Sequence, residues 1–164
     1  MLNAMSPRLA NASIFAVMLA TIAGAWAFQY AGYDPCELCL KQRWAYYAIV
    51  PFTLLMTVWN PSWVKQTLWL SLLVLLASTA LAMYHAGIEW HWWPGPDTCT
   101  GGNFGDGLPD LTKAVVKCDE PTLKILGMSL AAWNAQISAT MAYVAFLGTR
   151  TPQNLPQGSS SESQ

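Results

Sequence analysis

The chain has 164 residues, of which 54% are hydrophobic and only 10% are charged. A soluble domain usually carries about 25% charged residues, so this composition indicates that lipid forms part of the solvent around the protein. The net charge of −1 excludes the strongly basic surface that is typical of a nucleic-acid-binding protein.

Four segments are apolar enough to cross a bilayer, which takes about 20 residues of helix. They are predicted at about 12–30, 44–59, 67–85 and 128–148. The first is too long for the apolar region of a signal peptide, so we interpret it as a retained anchor. The sequence predicts an all-α membrane protein, a four-transmembrane-helix bundle forming one domain over residues 1–150. The Pro-, Gln- and Ser-rich tail, 151–164, is predicted to be disordered.

The connections between the predicted spans hold all four cysteines. Cys36 and Cys39 lie in 32–42, and Cys99 and Cys118 lie in 89–127. Four spans place both termini on one side and both cysteine-bearing loops on the other, so the two pairs can meet. Paired, exposed cysteines persist as disulfides in the periplasm but not in the cytosol. We therefore predict a bacterial inner-membrane protein with periplasmic cysteine loops and cytoplasmic termini, although its Lys and Arg distribution favours the inverse orientation.

Cys36-Glu37-Leu38-Cys39 is a CxxC motif. A redox pair fits better than a zinc site, because Cys99 and Cys118 do not have the spacing of a zinc knuckle. Thiols in such motifs often have low pKa values, and Cys39 lies at a helix entrance that favours an anion. Arg43 follows one turn later on the same helix face. Its guanidinium could stabilise a thiolate or a reduced quinone oxygen, or it could be an interfacial anchor.

The second cysteine pair lies in a loop rich in glycine and other turn residues. Such a loop suits a disulfide that an outside thiolate attacks, and the alternative is a static cross-link. Four cysteines allow three pairings, and their spacing does not choose between them. Apolar residues at helical spacing within 108–115 predict a short amphipathic helix on the membrane surface.

Polar residues in or beside the predicted spans are few. His85 and His91 could each donate a proton near neutral pH, although a structural hydrogen bond is the commoner role of a single histidine. Asn134 and Gln136 lie within the fourth span. We expect both to face other helices rather than lipid.

From about Ile14 to Leu147 the chain resembles the disulfide bond formation protein B (DsbB) family. The matching motifs are Cys36-Glu37-Leu38-Cys39 with Gln42-Arg43, Trp92-Trp93-Pro94-Gly95-Pro96 before Cys99, Cys118-Asp119-Glu120-Pro121, and Leu126-Gly127-Met128-Ser129 before Trp133-Asn134. Some family members carry an acidic residue where this chain has Gln42.

The resemblance implies a thiol:quinone oxidoreductase with catalytic cysteines paired as Cys36–Cys39 and Cys99–Cys118. A reduced DsbA-like periplasmic protein would attack Cys99, and the released Cys118 would attack Cys36. Cys39 would then pass electrons to a bound quinone, either ubiquinone or menaquinone, and so to the respiratory chain.

The same resemblance implies a set of residues that bind the quinone. Arg43 is the strongest candidate, and His85 and Trp44 are weaker ones. No metal ligand set is expected.

Three other hypotheses compete with this one. A structural membrane protein with static disulfides is possible, but a CxxC disulfide closes too short a loop to constrain much. A membrane metal carrier would need further ligands within the bilayer, where His85 alone is available. A specialised paralogue that oxidises one dedicated partner has the same sequence features.

Overall fold

The computed structural model describes residues 5–59, 61–96 and 117–151. This part of the chain forms four long helices: α1 is Pro7–Tyr30, α2 is Glu37–Trp59, α3 is Val64–Glu89 and α4 is Leu130–Arg150. A single 3-10 turn, Pro61–Trp63, joins α2 to α3, and a short hairpin precedes α4. The described part of the chain is all-α apart from that hairpin, which agrees with the predicted helical fold.

Three of the four helices, α1 to α3, begin earlier than the apolar segments from which they were predicted. Ser6 caps α1 by accepting a hydrogen bond from the backbone N–H of Leu9, and Pro7 occupies the first turn, where its missing N–H costs nothing. α2 begins at Glu37 rather than at 44. The predicted bounds missed this polar first turn because they were set by hydropathy. As a consequence, the CxxC motif overlaps the start of α2.

The core lies along the axis of the four-helix bundle. Ile14 and Met18 of α1, Leu68 and Leu75 of α3 and Ala145 of α4 are almost fully buried. α3 and α4 pack against each other over the most extensive interface. Small residues allow this close approach, which is typical of helices in membranes.

Two helices, α1 and α3, are long and apolar enough to cross a membrane among the residues described. Their mean hydropathies are 1.7 and 1.8. Large apolar side chains also face outward on other parts of the bundle, such as Val58 and Leu73. A soluble protein rarely exposes so many, so this surface fits contact with lipid. The number of membrane spans, predicted as four, stays a prediction.

A two-stranded hairpin covers the start of α4. β1, Lys124–Ile125, pairs antiparallel with β2, Met128–Ser129. Leu126 and Gly127 form the tip, both with positive φ. The indole N–H of Trp133 donates to the carbonyl oxygen of Ile125 at 3.0 Å and so ties the hairpin to α4. The sequence analysis did not predict this hairpin, and the amphipathic helix predicted within 108–115 lies outside the described residues.

Candidate active site

The CxxC motif lies where α2 begins. Cys36 directly precedes the helix and is only 3% exposed. Its sulfur accepts a hydrogen bond from the backbone N–H of Cys39 at 3.3 Å, as the side chain of a helix cap does. The two sulfurs are 2.8 Å apart and both residues are free thiols. The local helix geometry therefore holds the pair within bonding reach of each other.

The surroundings of Cys36 favour its thiolate. The hydrogen bond from the side chain of Cys39 is the largest cause, and the ring of His85 and the backbone N–H of Cys39 add to it. Burial acts in the opposite direction but is outweighed, so that the pKa of Cys36 falls from 9.0 to about 5. The thiolate is the reacting form of cysteine, and a low pKa favours a thiol both as a thiolate and as a leaving group.

The second cysteine-bearing loop meets this site through Cys118. That residue is buried and disulfide-bonded, while Cys99 lies outside the described residues. The sulfurs of Cys118 and Cys36 and the nearest ring nitrogen of His85 all lie within 4.8 Å of one another. Such a cluster could hold a metal only through deprotonated thiols, and the disulfide of Cys118 removes one of them. The geometry instead suits thiol–disulfide exchange between the two loops, as the topology predicts.

His85 lies on α3 and is 1% exposed. Its Nε2 is 3.6 Å from the sulfur of Cys36 and 3.9 Å from Oε1 of Glu89. Its Nδ1 is 3.0 Å from Nε2 of Gln42. Cys36, His85 and Glu89, with Cys39, border a small cavity of about 20 Å³, which has room for about one water molecule.

A much larger cavity, of about 500 Å³, lies between α1, α2 and α4. Cys39 and Arg43 line it, whereas neither His85 nor Trp44 does. Trp44 is 75% exposed, because the residue after Arg43 is turned about 100° around the helix. Most of the remaining wall is apolar and includes Ile22, Phe28 and Ile137. This size and lining are typical of a site for a small apolar ligand.

Arg43 is held at the wall of this large cavity by α1. Its guanidinium donates to Oε1 of Gln29 at 2.6 Å and to the carbonyl oxygen of Ala25 at 3.3 Å. The side chain is therefore fixed between α2 and α1. A positive charge in that position can attract negative charge that develops on a ligand or on the sulfur of Cys39.

The family model of disulfide bond formation protein DsbB matches residues 7–148. The chain belongs to the DsbB family. A disulfide bond formation protein B of Cupriavidus necator is 31% identical over 115 residues, which cover 63% of this chain and 67% of that protein. An uncharacterised protein of Rickettsia prowazekii is 24% identical over 150 residues, which cover 86% of each chain. No solved structure matches the chain.

Membership of the DsbB family makes this chain a membrane protein of disulfide bond formation, with oxidoreductase activity. The resemblance noted from the motifs is thereby confirmed. The structure brings Cys36, Cys118 and His85 together on one side of the CxxC motif. It places Arg43 with Cys39 on the other side, at the large cavity.

Sequence reasoning missed several polar residues around the DsbB-like site. Gln42, Gln29 and Glu89 contact Arg43 or His85. The signal available in the sequence was a polar residue in or beside an apolar span, because lipid makes an unpartnered polar group costly. That signal did work for Asn134, which faces α2, but it was wrong for Gln136, whose side chain is exposed.

Proposed function

We propose that this protein is a thiol:quinone oxidoreductase that reoxidises a periplasmic DsbA-like dithiol protein and passes the electrons to a quinone. One observation carries the proposal. The sulfur of Cys36 lies within 4.8 Å of that of Cys118 and 2.8 Å from that of Cys39. Because Cys39 also lines the large cavity, a continuous line of sulfur atoms leads from the second loop to that cavity.

The thiol half of the reaction follows from thiolate exchange. A thiolate of the reduced partner attacks Cys99 of a Cys99–Cys118 disulfide, forms a mixed disulfide and releases Cys118 as a thiolate. Cys118 then attacks Cys36 of an oxidised CxxC, forms a Cys36–Cys118 disulfide and releases Cys39 as a thiolate. The distance of at most 4.8 Å between the Cys36 and Cys118 sulfurs supports this transfer.

Two further exchanges complete that half. The second thiolate of the partner attacks the mixed disulfide, so that the partner leaves oxidised and Cys99 leaves as a thiolate. Cys99 then attacks Cys118, which restores Cys99–Cys118 and releases Cys36 as a thiolate. The result is an oxidised second pair with a reduced CxxC. The disulfide-bonded Cys118 and the free Cys36 and Cys39 of this structure match that state.

The large cavity fits a quinone. Its volume of about 500 Å³ and its apolar wall suit an aromatic headgroup, and Cys39 and Arg43 supply a reacting sulfur and a positive charge. When bound, the quinone accepts the two electrons that are released as the Cys36–Cys39 disulfide forms. Arg43, held by Gln29, would stabilise negative charge beside Cys39. The final electron acceptor must have a higher reduction potential than the partner, because a DsbA-type protein is itself a strong oxidant.

The proposed setting is the bacterial inner membrane. Four spans over residues 1–150, with both termini in the cytoplasm, would put both cysteine loops in the periplasm and open the cavity to quinone within the bilayer. The C-terminal end of α1 and the N-terminal ends of α2 and α4 line the cavity together, which supports a common side for these ends.

The test is quinone reduction by the purified protein in detergent. Reduced DsbA-type partner and a short-chain ubiquinone or menaquinone are mixed with wild type, Cys39→Ser and Arg43→Ala, and Gln136→Ala serves as an exposed control. We expect no turnover with Cys39→Ser, a loss of about tenfold or more with Arg43→Ala, and wild-type turnover with Gln136→Ala. The preferred quinone is the one that gives the higher rate.

Two outcomes would contradict the proposal. Folded wild-type protein that reduces neither quinone would favour static disulfides, particularly if Cys36→Ser leaves thiol oxidation in the cell unchanged. Turnover with a different dithiol protein, but not with a DsbA-type partner, would instead identify a paralogue that serves one dedicated partner.

A further inference from the structure

A buried chain of polar side chains leads from α4 to Cys36. The phenolic O–H of Tyr46 donates to Oδ1 of Asn134. Nδ2 of Asn134 donates to Oε1 of Gln42 at 2.7 Å, and Nε2 of Gln42 faces Nδ1 of His85 at 3.0 Å. Gln42 is 6% exposed and His85 is 1% exposed, so the contact between these two side chains is buried from water.

The donor-to-acceptor direction of these hydrogen bonds determines which nitrogen of His85 carries its proton. A primary amide has one accepting oxygen and one donating nitrogen. Since the oxygen of Gln42 is occupied by Asn134, its nitrogen must donate to His85, and Nδ1 must be the bare, accepting nitrogen. In the neutral imidazole the proton then lies on Nε2. That nitrogen faces the sulfur of Cys36 at 3.6 Å and Glu89 at 3.9 Å.

We infer that Gln42, oriented by Asn134, is a positioning residue that fixes the tautomer of His85 so that its Nε2–H points at the sulfur of Cys36. The inference deepens the proposed function and rests on it. Cys36 must leave as a thiolate when Cys99 restores the bond to Cys118. A hydrogen bond donated to that sulfur stabilises the leaving thiolate, and a more stable thiolate leaves faster.

This assignment gives His85 a role on the thiol side of the site. His85 does not line the large cavity, whereas Cys39 and Arg43 do. Besides His85, other groups that can bear charge lie near Cys36, and together they come from three parts of the protein. They are Cys39 on α2, His85 and Glu89 on α3, and Cys118 with Lys117 and Glu120 in the segment before the hairpin.

The tautomer can be measured directly, because the chain has only two histidines. A His91→Gln background leaves His85 as the one isotope-labelled imidazole, and the nitrogen chemical shifts of reduced protein in detergent report which nitrogen is protonated. We expect a protonated Nε2 and a bare Nδ1. The reversed hydrogen-bond chain would protonate Nδ1, and that result in the wild-type site overturns the inference.

Variants then test the position of Gln42. In Gln42→Leu the proton is no longer confined to Nε2, so a population protonated at Nδ1 grows. The thiolate-to-thiol ratio of Cys36 at a fixed pH falls by about tenfold, as expected for loss of a hydrogen bond to a charged group. In Gln42→Glu the carboxylate can only accept a hydrogen bond, so it favours the tautomer of His85 that carries its proton on Nδ1. Gln136→Leu, an equal change at an exposed glutamine, leaves both measurements as in wild type.

The two proposals fail in different ways. Unchanged His85 shifts and an unchanged Cys36 titration in Gln42→Leu overturn the positioning role, whatever the turnover. Absence of quinone reduction in wild type overturns the proposed function, but it does not alter the tautomer, since that measurement requires neither quinone nor partner.

Discussion

The low pKa of Cys36 leads to the prediction that is most directly tied to the geometry. With a pKa of about 5, Cys36 in the reduced protein is thiolate over thiol by roughly 100 to 1 at pH 7. The thiolate is lost as the pH falls through about 5. The side chain of Cys39 is the largest cause of this pKa. Cys39→Ala leaves only His85 and the backbone N–H of residue 39 to act against burial.

We expect Cys39→Ala to raise the midpoint of Cys36 by roughly two pH units or more, which is a hundredfold change in the thiolate-to-thiol ratio. The assay is the ultraviolet absorbance of the thiolate, followed against pH in reduced, detergent-solubilised protein. A background in which Cys99 and Cys118 are serine leaves only the CxxC thiols to titrate.

Cys36→Ser in that same background is the matched control, since it removes the titrating sulfur and should remove the low-pH step. A step near pH 5 that survives in Cys36→Ser would show that Cys39 is the ionising thiol. A midpoint in Cys39→Ala equal to that of wild type would show that the contact between the two sulfurs does not set the pKa. Either result would refute the reasoning.

Two further predictions concern residues outside the CxxC motif. Gln29→Ala removes the 2.6 Å hydrogen bond to Arg43 and should lower quinone reduction by about tenfold, measured as kcat/KM for the quinone; an unchanged value would mean that Ala25 alone holds the guanidinium. Gly148→Ala places a Cβ 2.7 Å from that of Ala10 and should destabilise the bundle by about 1–3 kcal/mol, seen as a lower Tm in detergent. Gly24→Ala, whose Cβ would meet nothing within 4 Å, is the matched control and should leave the Tm near that of wild type.

Apolar runs in the sequence were enough to predict the four helices and their order. The bounds were less accurate, because hydropathy detects the part of a helix that suits lipid and not its polar turns. α2 illustrates this. Its first two turns contain Glu37 and Lys41, which form an exposed ion pair at 2.7 Å. Because these turns are polar, hydropathy placed the start of the helix at 44, seven residues too late.

The CxxC motif could be predicted as a redox site from the sequence, because two thiols at this spacing lie close together and often have low pKa values. The proximity of Cys36 and Cys118 was expected from the predicted topology, since four predicted spans would bring the two loops to one side. Which neighbour each sulfur has was implied only by the family resemblance, because the residue pattern alone does not give the rotation of α2 against α1 and α3. Gln42 and Asn134 are 92 residues apart in sequence, and no local pattern pairs them.

The two cysteines of the CxxC motif have separate neighbours, and cross-linking can test this division. Cys36 lies within 4.8 Å of Cys118, whereas Cys39 faces the large cavity. In Cys39→Ser/Cys99→Ser, the remaining thiols are Cys36 and Cys118. We expect a mild oxidant such as copper phenanthroline to join them rapidly, because a small side-chain rotation brings the sulfurs to bonding distance.

In Cys36→Ser/Cys99→Ser, the remaining thiols are Cys39 and Cys118, and we expect cross-linking to be roughly tenfold slower or worse. The bond is followed by peptide mapping under non-reducing conditions. Equal rates in the two double variants would mean that either cysteine can receive electrons from the second loop. In that case the order from Cys118 to Cys36 to Cys39 would lose its physical basis. Faster cross-linking of Cys118 to Cys36 than to Cys39 would make Cys36 the cysteine that receives electrons from the second loop. The thiolate at the cavity could then only be that of Cys39.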